Sequence, residues 1–221
     1  MNWLLLQLAD SSFPAGAFAH SNGLEAALQH GELQGTGVAG FEKYLGELLW
    51  QTGHGALVLA SQAHRRPEII GELDALCEVF LSNHIANRAS RVQGRTFLAT
   101  CERSFSSEKI VALAAGIRGS GLHEHFAPVF GAALEALGVE LPAMQRLLLH
   151  GTLRGVISAA IRLGVFGPYQ AQRVQAAAGP TLDAVLAHCS GLAIDELAQT
   201  APLIDLMQAN HDQLYSRLFQ S

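Results

Sequence analysis

The chain has 221 residues, of which 49% are hydrophobic and only 15% charged, with a net charge of -5 and a pI near 6.0. That is apolar material for one large helical domain or two small ones, and the lack of a basic tail or Lys/Arg cluster argues against nucleic-acid or anionic-membrane binding. The opening MNWLLLQLADSS is too short for a secretion signal and lacks its cationic stretch, and no apolar run reaches the length of a membrane span, so a cytoplasmic protein is expected.

Strand signals are nearly absent, because no sustained apolar/polar alternation occurs. Helix signals run the whole length. A short amphipathic segment, Trp3–Ala9, is followed by the loop SSFPAGAFAHSNG, and Asn22 with Glu25 has the spacing of a capping box for a helix over Asn22–Gln29. Helices are then expected over Val38–Gln51 and Ala56–His64, and the Gly53-His54-Gly55 break can also be read as lying inside one continuous helix. Pro67 starts the next, whose Leu73, Leu76, Cys77, Phe80 and Leu81 make a core-facing stripe to Leu81. Asn83–Arg103 and Ser107–Arg118 follow. Pro128 opens a helix to Leu137, with Gly138 as its stop, and Pro142 opens the longest, which Gly164 ends at Leu163. Tyr169–Ala177, Thr181–Cys189, Ile194–Gln199 and Pro202–Phe219 complete the series. With several segments merging, about nine or ten helices are expected. No linker, repeat or low-complexity block interrupts them, so residues 1–221 read as one all-α, single-domain multi-helix bundle.

The low charge leaves two readings, a large Ala-rich core or apolar surface that a partner covers. Cys77, Cys101 and Cys189 are far apart and form no CxxC, so they read as buried reduced thiols. Phosphate-binding glycine motifs and the GxSxG elbow are absent. His123-Glu124-His125 places its two imidazoles on different sides of a helix, a poor joint metal site. No catalytic residue, cofactor or resident metal is expected. An alternative class, a helical metal-binding bundle enzyme, needs repeated ExxH motifs that do not occur here.

In NRASRVQGRTF, Arg88, Arg91 and Arg95 lie within about 60° of one another on a helix. Ile85, Ala89, Val92, Thr96 and Ala99 form the adjoining apolar stripe. Arginines at such an edge either staple neighbouring helices of the same chain or dock a partner; the spacing itself does not choose between them. The ending HDQLYSRLFQS carries Leu214, Tyr215, Leu218 and Phe219 as an amphipathic turn or two, which must dock on its own domain or on another protein.

These residues together resemble the urease accessory protein UreF family. The signature falls on Leu6, Asp10, Phe13, Pro14, Gly16, Phe18, Ser21, Gly23, Leu24 and Glu25, and continues in NRASRVQGRTFL, HFAPVFGAALEALGV, AAIRLGVFG and HDQLYSRLFQS. Departures are mild: Pro168 stands where the family often has Gln, Asp212 where it has Glu, and Ala15 and Ala17 replace commoner residues. The resemblance implies a non-catalytic scaffold that binds UreD (UreH in some systems), recruits the GTPase UreG and helps deliver nickel to apo-urease. It also implies a homodimer; a nickel conduit through the protein is the other reading. Partner contacts are expected at Phe13, Pro14, Gly16, Phe18, His20, Ser21 and Glu25 of the loop, at Arg88, Arg91, Arg95 and Arg162, and at His211, Tyr215, Arg217, Leu218 and Phe219 of a docking tail over 211–221. The loop can equally be a packed corner that supports the bundle.

Overall fold

The structure is a computed structural model that describes residues 3–33 and 35–221. Among these residues there are twelve α-helices, joined by short loops and 3-10 turns, and no strand. They are α1 (Trp3–Ala9), α2 (Leu24–Gln29), α3 (Gly37–His54), α4 (Ala56–Arg65), α5 (Ile70–Phe80), α6 (His84–Ser104), α7 (Glu108–Gly119), α8 (Phe126–Ala136), α9 (Leu141–Arg162), α10 (Pro168–Ala177), α11 (Gly179–Cys189) and α12 (Pro202–Ala209).

The centre is the pair α4 and α8. Both are buried on nearly every side, as Leu57, Val58, Leu59 and Ala60 of one and Val129, Phe130, Ala132, Ala133 and Leu134 of the other show. A helix that is apolar all round belongs in the middle of a bundle. The two backbones touch where Gly131 crosses α4: a Cβ there would lie 2.0 Å from the Ala60 carbonyl oxygen. Helices α3, α5, α6 and α9 surround this pair, and α12 closes one side against α2 and α6. All three cysteines are buried and unbonded, and burial raises the Cys77 and Cys101 thiols to about 12.

Several boundaries differ from the sequence reading. Helix α3 runs through Gly53 to His54, and Gly55 separates it from α4, so the break is real and falls late. Pro67–Ile69 is a 3-10 turn leading into α5, and Ile194–Glu196 is a 3-10 turn that does not continue as a helix to Gln199. Helix α8 starts two residues before Pro128, which its first turn tolerates because that N–H has no helical partner. The Asn22–Glu25 capping box does not form. Instead Asn22 (φ +52°) and Gly23 (φ +85°) turn the chain sharply, and the Tyr44 hydroxyl donates to the Asn22 carbonyl at 2.5 Å. On α6, Val92 stands out on the solvent side with the arginines, and the buried face is Ile85, Asn87, Ala89, Gly94, Phe97, Leu98 and Cys101.

The largest departure is at the end of the chain. The expected helix Pro202–Phe219 stops at Ala209; a 3-10 turn over His211–Gln213 follows, and 214–221 is irregular.

Candidate functional site

The irregular end lies along the N-terminal loop, and the two make a seam between segments some two hundred residues apart in sequence. Its anchor is Glu25, buried on α2. One carboxylate oxygen accepts the Leu218 N–H at 2.7 Å; the other accepts the Phe219 N–H at 3.1 Å and the His211 Nε2–H at 3.1 Å. The two backbone N–H groups are ones that a helix running to Phe219 would have kept for itself. A buried carboxylate binds them better, because a charged acceptor makes the stronger hydrogen bond. Further along, Gln220 N–H donates to the Ala19 carbonyl at 2.8 Å, and the Ser21 N–H and hydroxyl both donate to the Ser221 oxygen, at 2.6 and 2.9 Å. His20 Nδ1 meets the Ser221 hydroxyl at 2.6 Å, and Gln29 donates to the Ser216 carbonyl at 2.8 Å. Burial lowers the His20 pKa to about 4, helped by the nearby charges of His211 and Arg88.

Arg162, at the end of α9, fastens the outside of this seam. Its guanidinium sits 3.9 Å from the centre of the Phe18 ring and 4.2 Å from that of Phe219, and it donates to the Phe18 carbonyl at 2.6 Å. Beneath the loop, Phe13 packs on Phe97 and Phe105, the Pro14 carbonyl accepts from Thr100, and Gly16 (φ +76°) rests on Thr96. The loop is thus braced against α6 while Phe18 stays exposed.

Three arginines of α6, Arg88, Arg91 and Arg95, are paired within the chain. Arg88 grips Asp212 with two hydrogen bonds of 3.0 and 3.1 Å, and Arg217 and His84 approach the same carboxylate. Hydrogen bonds from Arg88, with the charges of Arg88, Arg217 and His84, hold the Asp212 carboxyl below its usual range. Arg91 pairs with Glu78, and Arg95 loosely with Glu124 at 3.8 Å. Glu78 also accepts from His125 Nε2, whose Nδ1 faces the Ser90 hydroxyl; that hydroxyl in turn accepts the Phe126 N–H. Burial works to raise the Glu78 pKa, but the hydrogen bonds from His125 and Asn87 and the Arg91 charge outweigh it and leave it lowered.

The structure therefore brings the predicted loop and tail residues together and separates them by depth. His20, Ser21, Glu25, His211 and Phe219 are buried inside the seam. Phe18, Tyr215, Leu218 and the charged heads of Arg88, Arg95 and Arg217 face outward. Sequence reasoning missed Gln29, Glu78, Glu124 and Ser221. Glu25 was expected here as a partner contact, and the structure makes it the internal anchor of the seam instead.

A cavity of about 260 Å³ lies between α3, α4, α6, α9 and α12, walled by Leu48, Leu59, Phe97 and Phe130 with Gln51, His150, Arg154 and Asp205 among them. Burial raises the Asp205 pKa against a hydrogen bond from Gln51, and lowers that of His150. Among the described residues no group of three or more His, Cys, Asp or Glu is placed to hold a metal ion, and no helix is long and apolar enough to cross a membrane.

The UreF family profile matches residues 36–179. Urease accessory protein F of Arabidopsis thaliana is 33% identical over 100% of this chain and 93% of its own length. The protein of the same name from Oryza sativa subsp. indica is 32% identical over 98% of this chain and 84% of its own. Urease accessory protein UreF of Trichodesmium erythraeum is 28% identical over 97% and 94%.

Proposed function

The chain belongs to the UreF family of urease accessory proteins, and from that premise we propose that it is a non-catalytic cytoplasmic scaffold that holds UreD (or UreH) and the GTPase UreG for nickel insertion into apo-urease. The observation that carries this is the outer face of the seam. Tyr215 is fully exposed, and Phe18 and Leu218 are 68% and 53% exposed; Glu25 binds the Leu218 N–H and Arg162 the Phe18 carbonyl. Exposed aromatic and aliphatic side chains beside arginines have the composition of an interface hot spot.

The test is co-purification with UreD and UreG, followed by a nickel-dependent urease activation assay. Deleting 211–221 would uncover the Phe219 site and confuse folding with binding. Tyr215→Ala with Leu218→Ala alters only exposed side chains. The pair is expected to abolish UreD capture and urease activation while the melting temperature stays within a degree or two. Capture at wild-type affinity refutes the reading. Modulation of UreG belongs to the same proposal, with Arg95 the best-placed arginine because its ion pair is the loosest; Arg95→Ala is expected to change GTP turnover of UreG in the complex. A homodimer is checked by light scattering of the purified chain.

The cavity favours a second reading, passage of nickel cargo through the bundle beside His150 and Asp205. Gly151 lines it, and a Cβ there meets nothing within 4 Å. Gly151→Leu is expected to leave UreD and UreG bound but to reduce nickel-dependent activation; unchanged activation removes the conduit.

A further inference from the structure

Away from the seam, the last residue of α3 meets the last turn of α11. The helices come close because Gly53 faces α11: a Cβ there would lie 2.6 Å from Val185 and 2.9 Å from the Cys189 sulfur. That approach sets the His54 and His188 rings 5.4 Å apart between centres, with the Trp50 ring 5.9 and 5.8 Å from them. We propose that His54 and His188 form an exchangeable binding site for a divalent metal ion of tetrahedral preference, Zn²⁺ above all.

The tautomer is the first support. His54 Nδ1 lies 3.0 Å from the Trp50 carbonyl oxygen. A carbonyl only accepts, so Nδ1 carries the proton and Nε2 keeps its lone pair. This is the hydrogen bond that orients metal-binding imidazoles. The ring spacing is the second. A metal–nitrogen bond of about 2.1 Å places the ring centre about 3.2 Å from the ion, so two rings at the tetrahedral angle have centres about 5.2 Å apart, whereas a right angle needs about 4.5 Å. The observed 5.4 Å is within reach of the tetrahedral case and too wide for the right-angle one. Cys189 is no ligand. Its sulfur lies 3.8 Å from Nδ1, the protonated side of the His54 ring, and so faces away from the free Nε2. Two protein ligands leave the remaining positions to water or to a group from another chain, which makes the bound ion readily exchanged.

The reporter is built in. The chain has two tryptophans, so Trp3→Phe leaves Trp50 alone beside the site. Co²⁺, a quenching stand-in for Zn²⁺, is titrated into the metal-free full chain while Trp50 emission is followed. Saturable quenching with one ion per chain by equilibrium dialysis, reversed by Zn²⁺, is expected. His188 is exposed, so His188→Ala leaves the fold intact and is expected to remove the saturable component, whereas His84→Ala, on α6, keeps it. Quenching that is linear in Co²⁺, or that survives His188→Ala, overturns the proposal.

Discussion

Replacing Glu25 with alanine removes the one acceptor shared by Leu218, Phe219 and His211. If the end of the chain stayed in place, three donors would lose a charged partner in a buried site. At the low end of about 1.5 kcal/mol per hydrogen bond to a charged group, the cost is about 4–5 kcal/mol. The chain has a cheaper option. The tail lifts off, its N–H groups return to water, and the main loss is burial of Phe219, about 2 kcal/mol, with the Arg162 stacking. The observed cost is therefore limited by the tail's own docking energy, about 3 kcal/mol, which corresponds to about a hundredfold faster exchange of the Leu218 and Phe219 amides. Hydrogen exchange resolved by residue measures this directly. Core amides of α4 and α8 are expected to keep their protection. Unchanged protection at 218 and 219, or an equal loss across α4 and α8, refutes the assignment of Glu25 as a local clamp.

His20 is buried neutral with its pKa lowered to about 4, by burial first and then by the His211 and Arg88 charges. The unfolded chain binds more protons between pH 6.5 and 4, so stability rises with pH in that window and falls as pH drops through it. Proteolytic release of the tail is expected to increase below pH 6.5, and His20→Gln to flatten that dependence. Gly131→Ala pushes a Cβ against the Ala60 carbonyl and is expected to cost at least about 3 kcal/mol, whereas Gly46→Ala, in open space on α3, is expected to stabilise by about 0.5–1 kcal/mol; melting temperatures separate the two. Arg162→Lys keeps the charge but loses the flat contact with Phe18 and Phe219, and is expected to weaken tail protection by about 1 kcal/mol in the same exchange experiment.

The helices were legible because their punctuation is local. Gly138 and Gly164 end α8 and α9 just beyond their last turns with positive φ, as their positions in the sequence suggest. Pro142 and Pro202 lie in first helical turns for the same kind of reason. The seam was not legible, because its cause is distant. Nothing near Leu214–Phe219 says that Glu25 will draw their N–H groups out of a helix, and nothing near Glu25 says that it serves residues 218 and 219 before its own helix start. The arginines show the same limit. Periodicity placed Arg88, Arg91 and Arg95 on one edge of α6, but the carboxylate that Arg88 holds, Asp212, lies 124 positions away.

The span of the seam also has a consequence for the order of folding. The Ser21 hydroxyl and the Glu25 carboxylate both bind residues 211–221, so the slot they form stays open while the intervening helices are synthesised and packed. Closing a loop of about two hundred residues is slow compared with forming contacts between neighbouring helices. A growing chain on the ribosome therefore presents a bundle with a vacant polar groove, and the aromatic outer face of the seam takes shape only after residues 211–221 have been added.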